Sequence, residues 1–549
     1  MLNAEGKRLA ASSALAIHGS VRKAAAFLGI PPGTFQHWAK VPAAPAAPTP
    51  PAGTLRAAAR DVFALPQAGQ CKTYILTSAQ NNTPLHEAAW RSLNSLAAHD
   101  GAQILVARFT YATKSRASSG QKSGADKSSR EGGAPVEAWD DRLTPFLADR
   151  SIELAPGLVW CGELQILPTA TDPTAGLESY TGRASSIVPH VKFSVKSIAS
   201  PKMRGTKFIY TTGTITQRNY IQKKAGQKAG FHHGYGALIV EVCDDGAWFV
   251  RQLNADSEGV IYDLDRRVLG DKVTDGHRPE ALVWGDIHTR QLASDMRNLG
   301  WGEGKLLDTL LPRRQVLHDV LDFRSQNHHD RKDPWHTYAK HVADALNVSD
   351  EINEAATFIA DAARPWCETA VVASNHDEAL IRWLKEADYR EDPENAEFIL
   401  EATAAAFRAI RLKQPEFYPV EWAFSRALDG LPDGVRFLRR DEEYIVCDDA
   451  NGGLELSMHG DKGANGAPSN LKGFARSGRK CIVAHSHTAG LHEGAMQVGV
   501  MGSLDQGYNV GQSSWSHTNA LVYPNGKRTL FTIWRGRWHG RQKPMEQAA

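Results

Sequence analysis

The chain has little cysteine for its length. Its 549 residues include six cysteines, which are widely spaced and form no C-x-x-C pair. This pattern argues against a disulfide framework or a thiolate zinc site and favours free thiols in a reducing compartment. Long apolar runs are also missing, because no uncharged stretch approaches the roughly 18 residues that predict a membrane span. The first residues lack the basic-then-apolar pattern of a signal peptide, so the sequence predicts a cytoplasmic protein without a membrane partner.

Acidic residues are absent from one long stretch. Residues 179–240 contain ten lysines and arginines and no aspartate or glutamate. The first 240 residues carry 27 basic against 14 acidic side chains (+13), and the remainder carries 36 against 47 (−11), which the net charge of +2 conceals. Lysine and arginine interleaved with aromatic residues are typical of a nucleic-acid surface. The predicted DNA contacts are Lys202, Arg204, Lys207, Arg218, Lys223, Lys224 and Lys228. The alternative is a basic region that faces the acidic half as a domain or subunit contact.

Residues 1–40 predict a helix-turn-helix-like DNA-binding module. A helical apolar face ends at Leu28, Gly29 stands where the tight turn belongs, and the prolines at 31–32 open a second helix. This helix would place Phe35 and Trp38 in the core, and would present Gln36, His37 and Lys40 to a DNA groove. The alternative is a helical hairpin used for oligomerisation. Residues 41–69, which begin as an Ala/Pro-rich run, predict a semi-rigid linker.

Residues 70–275 predict a βαβ unit followed by a β-rich, basic, nucleic-acid-binding domain. Residues 73–78 and 102–111 have the pattern of strands, and residues 84–98 have that of an amphipathic helix between them. The Ser/Lys/Gly-rich residues 113–133 predict a mobile basic loop. Short β-type runs separated by turns continue from about residue 156 to 265.

Five short polar motifs follow in the C-terminal half. They are Asp286-x-His288, Asp319-x-x-Asp322, Asn375-His376-Asp377, the single His459, and His485-x-His487. Each follows a short apolar run typical of a buried strand, and ligands at the carboxyl ends of neighbouring strands converge on one crevice. Carboxylate, amide and imidazole donors suit manganese, magnesium, zinc or iron without a thiolate. The sequence therefore predicts an α/β fold with a metal site.

The order of the motifs resembles that of the calcineurin-like metallophosphoesterases, over about residues 282–538. The resemblance implies a four-layer-type β-sandwich domain flanked by helices at residues 276–549, with a helical insertion at about 333–440. It also implies two divalent metal ions, with Mn²⁺ the first candidate and Mg²⁺, Zn²⁺ or iron possible, and a hydroxide between the ions that attacks the phosphoester. One ion would be held by Asp286, His288, Asp319 and His487, and the other by Asp319, Asn375, His459 and His485.

The same resemblance assigns roles to three further residues. His376 would stabilise the transition state and protonate the leaving oxygen. Asp322 and Asp377 would orient imidazoles or water, although both are equally compatible with ordinary solvated carboxylates. Three glycines of the family pattern are replaced, by His318, Ser374 and Ala484. Glycine is favoured where backbone passes close to a ligand or adopts positive φ, so the backbone must accommodate a side chain at these three positions.

Three functions are compatible with the sequence. The first is a metal-dependent DNA nuclease, and the whole-chain arrangement resembles the early DNA-degradation proteins of T-odd-type phages, which would act in the host cytoplasm. The second is a small-molecule phosphatase or cyclic-nucleotide phosphodiesterase, which leaves the acid-free stretch unexplained. The third is a non-catalytic DNA-binding protein with a decayed site, which the presence of all seven predicted ligands disfavours. The resemblance to such nucleases also implies a homo-oligomer.

Overall fold

The computed structural model describes residues 11, 14–15, 20–40, 60–111, 137–327, 331, 333–448 and 452–542, with only the backbone at Lys40. These residues belong to two compact units, residues 1–60 and 61–549. Most of the predicted linker, residues 41–59, lies outside the described residues. The predicted mobile loop at 113–133 also lies outside them.

The first unit contains a pair of short helices, α1 (Val21–Phe27) and α2 (Pro32–Lys40). The Ser20 side chain accepts a hydrogen bond from the Lys23 amide and so caps α1. Gly29 has a φ of +64°, a conformation that glycine adopts without strain, and it turns the chain after α1. Phe35 is buried against the alanines of α1. The predicted helix pair is therefore present, with Gln36 and His37 exposed.

The second unit begins with a region rich in short strands. In chain order its elements are β1 (Asp61–Val62), β2 (Cys71–Gln80), α3 (Glu87–Asp100), β3 (Gln103–Phe109), β4 (Ser151–Ala155), β5 (Leu158–Cys161), β6 (Ser185–Val188), β7 (Val195–Ile198), β8 (Ser200–Pro201), β9 (Lys207–Thr211), α4 (Lys224–Phe231), β10 (Gly236–Cys243), β11 (Trp248–Asn254), β12 (Ile261–Asp263), β13 (Arg266–Leu269) and β14 (Lys272–Thr274). β2 and β3 pair in parallel through α3, so the predicted βαβ unit is present.

Helices and strands alternate in the rest of the second unit. Its elements are β15 (Ala281–Val283), α5 (Ser294–Trp301), α6 (Leu306–Leu310), β16 (Arg314–His318), α7 (Pro334–Val342), α8 (Val348–Ala362), β17 (Glu368–Val372), α9 (Ala379–Glu386), α10 (Ala396–Arg411), α11 (Pro419–Ala427), β18 (Val435–Leu438), β19 (Ile445–Val446), β20 (Leu454–Glu455), α12 (Leu471–Phe474), β21 (Cys481–Val483), β22 (Gly490–His492), β23 (Ala495–Gln497), β24 (Gln512–Ser513), β25 (Thr518–Val522) and β26 (Arg528–Thr532). The fold is mixed α/β, as predicted.

Two large sheets dominate the second unit. The six-stranded sheet has the order β18-β17-β16-β15-β25-β26, and the eleven-stranded sheet has the order β1-β4-β5-β6-β9-β7-β22-β23-β21-β20-β19. A four-stranded sheet (β11-β10-β2-β3), a three-stranded sheet (β12-β13-β14) and a two-stranded sheet (β24-β8) complete the described strands. Antiparallel pairing of β7 with β22 joins strands from both sides of residue 275. The predicted boundary between residues 275 and 276 therefore lies inside one compact unit.

The hydrophobic core explains how the layers are arranged. Strand side chains alternate between the two faces of a sheet, so Leu282 and Val283 on β15 point in opposite directions. Val283 belongs to a buried cluster shared by the six-stranded and eleven-stranded sheets, which pack face to face. Leu282 belongs to a second cluster, in which helices α5, α6 and α8–α11 cover the other face of the six-stranded sheet. No helix among the described residues has the length and apolar character that crossing a membrane requires.

Candidate metal centre

The five motifs meet at the carboxyl ends of neighbouring strands. β15, β16 and β17 are adjacent and parallel, so the segments that follow them leave the sheet at one edge. Backbone hydrogen bonds hold these segments together, because the His288 amide donates to the Asp319 carbonyl at 2.8 Å. The Asp286 amide donates to the Gly499 carbonyl, and the His485 amide donates to Asp286 Oδ1 at 3.3 Å. The ends of the two large sheets therefore contribute to one site.

One group of four side chains has the composition of a metal-binding cluster. One ligand atom from each lies within 4.8 Å of all the others, and all four are buried: Asp286, His288, Asp319 and His487. His487 Nε2 lies 3.1 Å from Asp286 Oδ2 and 2.9 Å from His288 Nε2. His288 Nε2 lies 3.7 Å from Asp319 Oδ2. We call this set the first ligand cluster.

His459 is the centre of a second group beside the first. Its Nε2 atom lies 3.3 Å from Asp319 Oδ2 and 3.1 Å from Asn375 Oδ1. The imidazole ring of His485 lies 5.2 Å from that of His459, measured between ring centroids. Asp319 therefore lies between the two groups, and the structure brings all seven residues predicted as metal ligands into one region.

Several buried polar atoms at this site have no hydrogen-bond partner among the described residues. They include both carboxylate oxygens of Asp319 and the Nδ1 atoms of His459 and His487. Burying such groups without a partner is unfavourable by a few kcal/mol each, unless a cation satisfies them. Oxygen and imidazole donors in this number suit a divalent metal ion. The residues present therefore fit a metal ion, and the cluster could bind one.

The carboxylates and imidazoles shift each other's pKa strongly. Burial opposes the charge on Asp319, but His459, His376 and His288 outweigh burial and hold its pKa well below the ordinary value. Burial likewise opposes the charge on His459, but Asp319 and Asp286 raise its pKa to about 9. The carboxylates thus favour positive charge at the site, which protons on the imidazoles or a bound cation can supply.

Asp322 positions two histidines. Its Oδ1 atom lies 3.1 Å from His288 Nδ1, which leaves His288 Nε2 directed at the first ligand cluster. His376 Nδ1 lies 3.0 Å from the Asp322 carbonyl oxygen. A carbonyl only accepts, so His376 Nδ1 carries the hydrogen and Nε2 is the nitrogen left for other chemistry. The His376 side chain is 24% exposed, whereas the four residues of the first ligand cluster are buried.

Asp377 connects two of the site segments. Its Oδ1 atom accepts from the Leu321 amide at 2.9 Å, and its Oδ2 atom accepts from the Ser374 hydroxyl at 2.8 Å. Asp377 is 2% exposed. Asp322 and Asp377 are thus both buried and hydrogen-bonded and are not solvated surface carboxylates.

Four of the predicted ligands have a strained backbone conformation. The φ values of His288, Asp319, His485 and His487 are +48°, +47°, +71° and +58°. The left-handed conformation is unfavourable for residues other than glycine by about 1–2 kcal/mol each, and such strain is common at functional sites. His318, Ser374 and Ala484, which replace family glycines, are not among the positive-φ residues. Gly285 is retained because a Cβ atom there would lie 2.7 Å from the Gly499 carbonyl carbon.

Three residues near the site were not predicted from the sequence. His318 is fully buried beside His459, and burial lowers its pKa to about 3. The indole ring of Trp515 lies 4.2 Å from the His487 ring, and Tyr508 packs against Trp515. His318 adjoins a motif and could have been suspected. Trp515 and Tyr508 lie in a segment with no sequence signal.

The basic residues predicted to contact DNA have different environments. Lys207 is buried, and its ammonium group donates to the carbonyls of Glu178 and Gly182 at 2.7 Å, so it is not a surface residue. Lys202 pairs with Asp505 at 2.8 Å and Lys228 with Glu493 at 3.0 Å. The remaining four are exposed: Arg204, Arg218, Lys223 and Lys224. Arg218 lies over the Tyr235 ring at 5.5 Å.

The fold and the site define a mixed α/β protein with a buried Asp/His cluster that could bind a metal ion. No family model matches the chain. It is 36% identical to Protein A1 of Escherichia phage T5 over 482 residues, which cover 85% of this chain and 83% of that protein. The chain therefore belongs to the family of Protein A1.

Proposed function

We propose that the protein is a metal-dependent DNA nuclease that hydrolyses phosphodiester bonds. The observation that carries the proposal is the first ligand cluster, in which four buried ligand atoms converge within 4.8 Å. Both oxygens of Asp319 in this cluster lack a hydrogen-bond partner among the described residues, which leaves them available to a cation. A buried group of ionisable side chains of this kind is unfavourable for stability unless the charges are compensated.

Two metal ions, with Mn²⁺ the first candidate, are the finer part of this proposal. Divalent ions, when bound, supply Lewis acidity, lower the pKa of water and stabilise the attacking and leaving oxygens. The first ligand cluster would hold one ion. The second ion would be held by Asp319, which the two groups share, together with Asn375, His459 and His485.

The chain's own residues would orient the site and move a proton. Asp322 fixes the His288 ring through Nδ1, so that Nε2 faces the cluster. The Asp322 carbonyl fixes His376, whose free Nε2 would donate a proton to the leaving oxygen. Asp377 would keep the segment after β17 at a set distance from the segment after β16.

DNA is the proposed substrate because several of the predicted cationic contacts are exposed and because of the resemblance to phage DNA-degradation proteins. Four of the predicted DNA contacts are exposed, and they are electrostatically suited to phosphates. Membership of the Protein A1 family supports a phage setting and, with it, action in the host cytoplasm. We also propose that the two facing sheets and their helices are the four-layer metallophosphoesterase arrangement. Self-association and DNA binding by α2 stay predictions.

The test is digestion of linear and circular duplex DNA with Mn²⁺ by the parent protein and by Asp319→Asn. We expect the parent to degrade DNA and the variant to lose activity. The amide of the variant cannot supply the negative charge that Asp319 offers to both predicted metal ions. The matched control is Asp433→Asn, which neutralises an exposed carboxylate in the same half of the chain. Cutting of the circle would identify endonucleolytic action.

Two results would contradict the proposal. Equal degradation by the parent and Asp319→Asn would show that the activity does not depend on this site. If the parent leaves DNA intact but hydrolyses bis(p-nitrophenyl) phosphate or a cyclic nucleotide, the protein acts on small phosphodiesters. The basic region would then serve assembly.

A further inference from the structure

A cleft beside the metal centre is not used by the proposed chemistry. Its volume is about 560 Å³, within the range of about 300–1,000 Å³ typical of ligand sites. Its lining comes from residues 178–185, 198–208, 245–250 and 532–535, and from residues 515–517 at one end. At this end the Trp515 ring touches His487, and the Ser516 amide donates to the His487 carbonyl at 3.4 Å. One lining residue of the cleft, Trp515, therefore contacts a residue of the first ligand cluster.

Aromatic rings line the cleft. Trp248 and Trp515 are half-buried and Trp534 is 38% exposed, so each presents part of its ring to solvent. The position of Trp534 is set partly by Gly205, where a Cβ atom would lie 3.0 Å from the indole. Only glycine lets the backbone approach this ring so closely. Partly exposed rings are suited to stack against planar ligands, and every nucleic-acid base has such a face.

The same cleft carries unneutralised positive charge. Arg183, Arg204 and Arg535 line it and are exposed. No carboxylate among the described residues lies within ion-pair distance of these three guanidinium groups. The two lining carboxylates, Glu178 and Asp245, are already paired with Lys196 and Arg537. A ligand with several negative charges is therefore favoured in the cleft.

We propose that this cleft binds an unpaired strand of DNA and leads it to the metal centre. The inference rests on the proposed nuclease function and specifies the state of its substrate. In a duplex the base faces are stacked on one another, so only an unpaired strand can offer them to Trp515, Trp248 and Trp534. The arginines would contact the phosphates of the same strand.

The test is binding of fluorescein-labelled (dT)₁₂ to the full-length protein in EDTA, measured by fluorescence anisotropy, with a hairpin duplex in parallel. EDTA separates binding from hydrolysis. We expect Trp534→Ala to weaken (dT)₁₂ binding at least about fivefold, the lower end of the loss from one stacked base. Trp534→Phe, which retains a ring, should bind nearly as the parent does. Trp335→Ala is the matched control, because Trp335 is 85% exposed on α7 and outside the cleft.

A double variant and its control test the contribution of the cleft arginines to binding. Arg183→Ala with Arg204→Ala should make the slope of log K against log salt concentration less steep by roughly 1.4, since a single strand releases about 0.7 counterion per contacted phosphate. Arg411→Ala is the exposed-arginine control.

Four results would overturn the inference. They are parental affinity of Trp534→Ala for (dT)₁₂, an unchanged salt slope in the arginine variant, an equal loss of affinity for hairpin duplex, and tighter binding of (rU)₁₂ than of (dT)₁₂ by the parent. Hydrolysis of bis(p-nitrophenyl) phosphate by the parent with Mn²⁺ is measured separately. If the parent hydrolyses this substrate but the cleft variants bind (dT)₁₂ as the parent does, only the role of the cleft is contradicted. If the cleft variants weaken (dT)₁₂ binding but the parent hydrolyses no phosphodiester, only the proposed catalytic function is contradicted.

Discussion

The carboxylate of Asp377 accepts a hydrogen bond from the backbone amide of Leu321, with 2.9 Å between Oδ1 and the nitrogen. Leu321 lies two residues after Asp319, the residue shared by the two ligand groups. Asp377 lies two residues after Asn375. One hydrogen bond therefore ties together the two segments that carry these ligands, and Ser374 holds the other carboxylate oxygen. The spacing between the ligands therefore depends on a residue that is not itself one of the predicted ligands.

Replacing Asp377 by Ala should lower both stability and metal affinity. The buried Leu321 amide would lose its acceptor, which destabilises a protein by about 1–3 kcal/mol. Asp377→Asn retains an oxygen acceptor, so its effect should be smaller. Thermal unfolding at one scan rate, with and without Mn²⁺, and calorimetric titration of Mn²⁺ measure the two effects. Asp433→Ala serves as the exposed control. An Asp377→Ala protein with parental melting temperature and Mn²⁺ affinity would show that the hydrogen bond has no such role.

His376→Ala should reduce turnover and leave the bound metal in place. His376 Nδ1 is fixed by the Asp322 carbonyl, and its Nε2 is free to transfer a proton. Loss of a general acid lowers the rate by about 10²–10⁴-fold. DNA hydrolysis gives the rate, and elemental analysis of the purified protein gives the metal content. His341→Ala, an exposed histidine on α7, is the control. Loss of metal together with activity would assign His376 to the ligands.

The composition of the metal centre could be predicted from the sequence, whereas its strain could not. The motifs follow apolar runs that form β15, β16, β17 and β21, and strand ends in a sheet necessarily meet at an edge. Positive φ at His288 and Asp319 could not be predicted from the sequence, because it is uncommon at non-glycine residues, even though aspartate and histidine adopt it more often than most. The surrounding hydrogen bonds impose it. His318 and Ala484 could replace family glycines because the positive φ falls on the ligands that follow them, Asp319 and His485.

Charge along the sequence predicted the exposed basic surface less well than the motifs predicted the metal centre. A run without acidic residues predicts a basic face, but its partners come from elsewhere in the chain. Lys228 forms an ion pair with Glu493, and Lys202 forms one with Asp505, although hundreds of residues separate the partners in the sequence. The pairing of β7 with β22 brings these segments together, and long-range strand pairing is not visible in local patterns. Lys207 shows most clearly that charge along the sequence does not predict exposure, because its ammonium group is buried and donates to two carbonyls.

The exposed lysines at the start of α4 should contribute to DNA binding. Lys223 and Lys224 have no ion-pair partner among the described residues, unlike Lys228. Replacing both by Ala should reduce the salt slope of duplex binding by about 1.8, at roughly 0.9 per phosphate contact. Anisotropy at several salt concentrations measures the slope. Lys385 and Lys413, both exposed, give a matched double variant. Identical slopes for the two double variants would mean that α4 faces no DNA.

Acid should destabilise the protein partly through His190. Burial lowers the pKa of this imidazole to about 4, and Nδ1 accepts from the Lys192 amide at 3.1 Å. In the unfolded chain the pKa is about 6.5, so the unfolded state binds more protons between pH 6.5 and 4. Stability is therefore fully present above about pH 6.5 and falls as the pH drops towards 4, by about 3 kcal/mol from this residue.

His190→Gln removes the titrating group and retains polar atoms. We expect its melting temperature to be lower than that of the parent at pH 8, because the amide fits the hydrogen bonds to Leu167 and Lys192 less well. Its further loss between pH 6.5 and 4 should be smaller than the loss of the parent. His341→Gln, at an exposed histidine, should follow the parent curve. Other buried histidines titrate in the parent and the variant alike, so only the difference between the curves reports His190. Parallel curves for the parent and His190→Gln would show that another group controls the acid response.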